Sequence, residues 1–165
     1  MTKIPYLILA AVLFALPAAY ADDFTTQQEA LLADARADLA ARPDDPDALI
    51  WVGRRLAYLG RYDEAIATYQ AGITQHPDDA RFLRHLGHRF ITTRQFDSAI
   101  LSLQEAADMM AGRPNAVEPD GLPNDAGIPT STLKGNIYYH LALAYYLSGD
   151  FEAAAQGFAG AAAPA

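Results

Sequence analysis

The chain has 165 residues, with 20 acidic against 12 basic side chains and a net charge of −8, which argues against general nucleic-acid binding. It contains no cysteine, so disulfides, thiolate metal sites and lipid attachment through sulfur are excluded.

Residues 1–21 read as a targeting segment. Lys3 gives a short positive start, and Ile4 to Leu16 is almost wholly apolar. Pro17 is expected to break that helix, and Ala19-Tyr20-Ala21 forms a small-x-small cleavage site before Asp22. A cleaved signal peptide is expected, and with it a periplasmic location for a bacterial protein. The alternative is an uncleaved membrane anchor, but the apolar run falls short of the about 20 residues a spanning helix needs.

Thr25 to Ala41 is an Ala- and Leu-rich helix with an apolar stripe of Leu31, Leu32, Ala35 and Leu39. Pro43-Asp44-Asp45 follows and recurs as Pro77-Asp78-Asp79. Each aspartate pair is placed to cap the next helix, and Pro46 suits a first helical turn. Between these markers lie two helical patterns joined by Leu59-Gly60-Arg61-Tyr62. Gly60 suits the left-handed residue that ends the first helix. Asp63 and Glu64 sit at the start of the second, where the helix dipole favours negative charge. A glycine inside a helix costs about 1 kcal/mol relative to alanine. Gly53 therefore implies close approach of the two helices, with Ala65 as the small residue facing it and Tyr69 filling the space further down.

The same spacing returns from Ala80 with Leu83, Leu86, Gly87, Phe90, Phe96, Ala99, Leu103 and Ala106, although Arg94 stands where the turn glycine is expected. Gly112 to Pro129 carries prolines at 114, 119, 123 and 129 and no periodicity, so it is a loop, either ordered and functional or a disordered spacer. The pattern resumes with Tyr138, Leu141, Ala142, Tyr145, Gly149, Phe151, Ala154, Phe158 and Ala161, and Ser131 or Thr132 is placed to cap this helix.

Taken together these units resemble the tetratricopeptide (TPR) repeat, a 34-residue helix–turn–helix. The resemblance implies an all-α, TPR-type helical-hairpin solenoid with a capping N-terminal helix. Its parts would be a half-repeat at 25–43, repeats at 46–79, 80–111 and 132–163, and the inserted loop at 112–130, making residues 22–165 one TPR domain. Three repeats are about the minimum for a stable array. The last helix runs into Gly160-Ala161-Ala162-Ala163-Pro164-Ala165 with no polar helix after it, so the chain is either truncated or docks through this end.

In this family the first helices line a concave groove that binds peptides. Carried onto this sequence, the groove takes Trp51, Arg54 and Tyr58 from the first repeat, with Arg81, Arg84, His85 and His88 from the second. Asn136, Tyr139, His140 and Tyr146 come from the third. Arginine pairs with carboxylates in bidentate geometry, and Tyr and Trp give rigid contact area. The expected ligand is therefore an extended, acidic peptide of another protein; the competing reading is a solvated basic face balancing the Asp-rich turns. The family's carboxylate clamp uses Lys and Asn, whereas Ile50 and Arg54 stand at the corresponding positions of the first repeat.

His85 and His88 lie three apart on one helix face and His140 takes the same position on the next repeat, a spacing that could bring three imidazoles to a metal. No carboxylate shares the helix and adjacent arginines repel a cation, so peptide-facing or partly buried imidazoles are the expectation. Glu118, Asp120, Asn124 and Asp125 offer calcium-type oxygens at a spacing that fits no EF-hand. The loop lies at a groove edge, where its acids would compete with an acidic ligand. No nucleophile–base pattern and no phosphate-binding glycine motif is present, so neither an enzyme nor a cofactor is expected. The alternative function is a structural subunit that docks or self-associates through its uncapped C-terminal helices, touching membrane only if the signal segment stays on.

Overall fold

The computed structural model describes residues 5–161 apart from 119, 122–124, 128 and 129, with side chains from residue 23 onward. Lys3, Ile4, Pro119, Pro123, Asn124, Pro129 and Ala162 to Ala165 of the expectations above lie outside it. The chain is helical: α1 Pro5–Ala41, α2 Pro46–Tyr58, α3 Tyr62–Gln75, α4 Ala80–Thr92, α5 Phe96–Met109, α6 Leu133–Ser148 and α7 Phe151–Ala161. Each helix packs against the next in order, and α4 also touches α6 directly. This is an all-α helical-hairpin solenoid.

One expectation fails at the start. α1 runs through Pro17 instead of breaking there. A proline removes one backbone hydrogen bond, and the Ala- and Leu-rich residues on both sides favour helix enough to continue past it. Among the described residues no helix is long and apolar enough to cross a membrane.

The helix starts follow from their caps. The Asp45 carboxylate accepts from the amides of Asp47 and Ala48 at 2.8 and 3.2 Å, and Asp79 accepts from that of Arg81 at 3.0 Å. Thr132, not Ser131, caps α6 through the Gly135 amide. The turns inside the hairpins share one geometry, with left-handed φ of 73° at Gly60, 61° at Arg94 and 93° at Gly149. Arg94 thus keeps the turn its glycine counterparts make.

Packing corrects the reading of Gly53. A Cβ built there would lie 2.4 Å from Cε1 of Tyr69, so the residue facing Gly53 is Tyr69, with Ala65 buried beside it. Gly87 makes the same approach to Leu103, at 2.5 Å from its Cγ. A large ring or branched chain on the second helix fills the notch that glycine leaves on the first. Gly72 does this between hairpins, against the ring of Phe82. The core runs along the stack from Leu32 through Ile50, Tyr69 and Phe82 to Leu103, Ile137 and Ala144, all buried.

The connection from α5 to α6 folds back onto α4. Its two ends zip together: Glu118 N–H donates to Ser131 O and Leu133 N–H to Ala116 O, both at 3.0 Å, around an isolated antiparallel bridge of Val117 with Thr132. The spacing of this short ladder turns Glu118 and Asp120 inward.

Candidate functional site

Residues three and four apart share a helix face. That places Trp51, Arg54 and Tyr58 in one stripe on α2, Arg81, Arg84, His85 and His88 in one on α4, and Asn136 and His140 in one on α6. The middle of this surface is not open. Glu118 and Asp120 insert into it, each with a side chain 0 % exposed.

Arg84 holds Glu118 in a fork. Its Nε donates to Oε1 at 2.8 Å and its Nη2 donates to Oε2, while Asn136 Nδ2 adds a bond to Oε2 at 2.6 Å. Arg54 Nη1 donates to the Asp120 carbonyl and to its Oδ2 at 3.2 Å. His85 Nε2 lies 2.8 Å from the same Oδ2. Arg54, Arg84, His85, Glu118 and Asp120 are all buried, so these are charge-assisted bonds in a region of low dielectric.

The tautomer of His85 follows from its neighbours. Arginine can only donate, and Arg84 Nη1 lies 2.9 Å from His85 Nδ1. Nδ1 therefore accepts, and the ring carries its proton on Nε2, facing Asp120. Burial, with the Arg84 charge behind it, pulls the imidazole down to about 3, so His85 is neutral. Burial alone would push the Asp120 carboxyl up; the His85 hydrogen bond and the charges of Arg84 and Arg54 outweigh it and hold Asp120 ionised. Asp120 Oδ1 is buried with no hydrogen-bond partner among the described residues; Arg81 Nη1 stands 3.8 Å away, itself held by Asp79 and Asp47.

Beside the inserted acids a cavity of about 310 Å³ remains, lined among others by Tyr58, His88, Arg89, Gly121 and His140. The rings of His88 and His140 are 4.3 Å apart. Burial is the main cause that lowers both, to about 2 and about 4. Arg89 is half-buried and, among the described residues, makes no ion pair and no side-chain hydrogen bond; its nearest aromatic face is Tyr62, at 5.9 Å. Burial pulls its guanidinium below the ordinary value.

A family model described as TPR repeat matches residues 53–90, which cover most of α2 to α4. Among solved structures, "MamA RS-1 ArsTM double mutant" superposes with a TM-score of 0.59 at 19% identity, over 81% of this chain and 64% of that one. "MamA AMB-1" gives 0.56 at 19% identity over 79% and 64%, and "Crystal structure of MamA protein" 0.55 at 17% over 85% and 72%. Residues 53–90 thus carry a TPR repeat, and the chain folds as a TPR-type helical-hairpin solenoid. It spans just under two thirds of the length of the first two structures, and at such identities the likeness concerns the fold alone. No curated protein matches its sequence.

Within the groove the expected residues do not all meet. Arg54, Arg84 and His85 meet at the inserted acids. Arg81 stands beside them but is tied to α2 and to its own cap. Trp51 and Tyr58 form the edge on α2, where the Arg54 guanidinium lies 4.4 Å from the Trp51 ring and Tyr58 OH accepts from Arg54 at 3.0 Å. Tyr139 and Tyr146 do not join the cluster; they are 49% and 54% exposed and meet Phe158 and Phe151 of α7 edge-on.

His85 leaves the other two imidazoles for Asp120, and among the described residues no group of three or more acids and histidines could hold a metal ion. Glu118 and Asp120 are spent on arginines rather than offered to calcium. The sequence reading passed over Arg89, which lies one residue off the positions carried over from the family. Its only signal was membership of the acid-free run from Ala80 to Phe96.

Proposed function

We propose that this TPR protein is a protein-binding scaffold or assembly factor of the bacterial envelope, exported through its N-terminal segment. Its basic-aromatic groove takes an extended acidic stretch of a partner. One observation supports this reading above the others: the groove already accommodates two carboxylates of one inserted segment, Glu118 and Asp120, each on arginine. The fold is a scaffold suited to protein–protein contact, and the residues gathered in it bind rather than catalyse.

The test is a titration of the full chain with acidic peptides and their lysine-substituted counterparts at two salt concentrations, together with the N-terminal sequence of the protein recovered from envelope fractions. Preference for the acidic peptides, weakening as salt rises, is expected, because charges are screened over a Debye length of about 8 Å at physiological ionic strength. A chain beginning at Asp22 is the expected form. Equal binding of both peptide sets would move recognition off the groove.

A second reading is favoured by the other end of the molecule. Tyr146, Leu147, Phe151 and Phe158 are exposed together on α6 and α7. On this reading the chain docks or self-associates through its last hairpin, and the groove has no external ligand.

A further inference from the structure

The inserted segment fills the groove only in part. Gly121 N–H donates to Glu118 O at 3.0 Å, which closes a turn over Glu118 and Asp120. The space it leaves is the cavity under Tyr58, His88 and His140, and the cation facing that space is Arg89, with no anionic partner among the described residues. Asp120 Oδ1 is also buried without a hydrogen bond among the described residues, with Arg81 Nη1 no nearer than 3.8 Å. A half-buried cation and a buried lone acceptor are both costly. The segment is thus an imperfect occupant of the surface it covers.

We propose that Glu118 and Asp120 act as a resident pseudo-ligand. The true ligand would be a partner segment with the same Glu-x-Asp spacing that continues extended and places a third side-chain carboxylate on Arg89. This rests on the groove reading above and deepens it. Exchange of one carboxylate for another keeps the bonds to Arg84, Arg54 and His85, so displacement costs far less than breaking these pairs outright. The tethered segment competes at an effective concentration in the millimolar range, about what short flexible linkers give. A partner must therefore gain something the resident lacks, and the bond to Arg89 is that gain.

Two end-capped peptides serve as probes. The first copies residues 115–121; the second is the same peptide with its last glycine replaced by Ser-Glu. Binding to the full chain is titrated with each. The amide exchange of Glu118, which donates to Ser131 O in the resident arrangement, is followed by NMR. The second peptide should bind about tenfold more tightly than the first, the effect of one added charge-assisted bond. It should also speed exchange at the Glu118 amide. Arg89→Gln should abolish the difference between the peptides without lowering the melting temperature, since Arg89 makes no ion pair among the described residues in the resident state.

Equal affinity of the two peptides overturns the proposal, as does an advantage that survives Arg89→Gln. Tight binding that leaves the Glu118 amide protected places the peptide elsewhere and overturns it too. The Glu118→Gln chain separates the two levels of the reading. If the copy peptide binds that chain and the third acid adds nothing, only this inference fails; if neither peptide binds either chain, the groove reading fails with it. Should Glu118→Gln not fold, the wild type and Arg89→Gln carry the test by themselves.

Discussion

At the residue scale, one glycine and three histidines tie packing to the site. Tyr69 is 1 % exposed, lies in the notch of Gly53 and stacks on His85 with ring centroids 5.2 Å apart. The ring cannot swing clear, so Gly53→Leu must part α2 from α3. Overpacking of this kind costs about 1–3 kcal/mol, against a helix-propensity gain of about 1 kcal/mol from losing glycine. We expect a net loss of stability in thermal unfolding, with His85 and its Asp120 bond disturbed as well; an unchanged melting temperature would mean that the ring has another place to go. The histidines predict a pH dependence. His85, His88 and His140 sit at about 3, about 2 and about 4, all below the unfolded value of about 6.5, mainly through burial. Below that value the unfolded chain takes up protons that the folded chain refuses. Stability is thus fully present above pH ~6.5 and falls toward pH ~4, by up to about 1.4 kcal/mol per pH unit for each histidine. The depressed Asp120 carboxyl adds its own loss only at still lower pH, below the unfolded carboxylate value of about 3.9. Denaturant unfolding at a series of pH values between those limits reads the slope. A flat profile would mean that the imidazoles are charged in the fold.

At the element scale, the helices were legible and the loop's destination was only half so. Helical spacing, the aspartate caps and the glycine notches are local signals, and α2 to α7 follow from them. The inserted connection has no period, so nothing local places it. What could be read was sign: an acidic loop at the edge of a basic run. What could not be read was that Glu118 and Asp120 go fully inside, because that depends on contacts across 34 and 66 residues of chain. Arg89 was missed for a related reason: its importance lies in what the loop leaves uncovered. The turn at Arg94 shows the reverse case, in which a departure from the sequence pattern leaves the geometry unchanged. Its φ of 61° matches the glycines at the equivalent turns. A left-handed non-glycine residue carries a strain of about 1–2 kcal/mol, part of which glycine returns as extra freedom in the unfolded chain. Arg94→Gly should therefore stabilise the protein by up to about 1 kcal/mol in denaturant unfolding. A loss would locate a compensating contact in the arginine side chain, which lies 5.9 Å from the Phe96 ring.

At the scale of the whole molecule, the two functional readings make opposite demands on the ends and middle of the stack. A solenoid is stabilised by neighbour-to-neighbour interfaces, so each terminal unit leaves one face without a neighbour. Here α7 closes the described stack, and its Phe151 is 64 % exposed beside Tyr146 at 54 %. The groove in the middle is governed by charge, whereas this end is apolar. Association through it should therefore be insensitive to salt, while groove binding should not be. Burial of apolar surface returns about 25 cal/mol per Å², so covering Phe151, Tyr146 and Leu147 favours association against its entropic cost. We expect sedimentation equilibrium of the full chain to show concentration-dependent association, equal at low and high salt. The double change Tyr146→Ser with Phe151→Ser should weaken it by about tenfold or more, the equivalent of some 1.4 kcal/mol. Neither residue touches the inserted acids or Arg89, so the same variant should bind acidic peptides as the wild type does. A variant that dissociates and also loses peptide binding would show that the groove is completed only in the associated form. A wild type that stays monomeric at every concentration would remove the docking reading and leave the groove as the working surface.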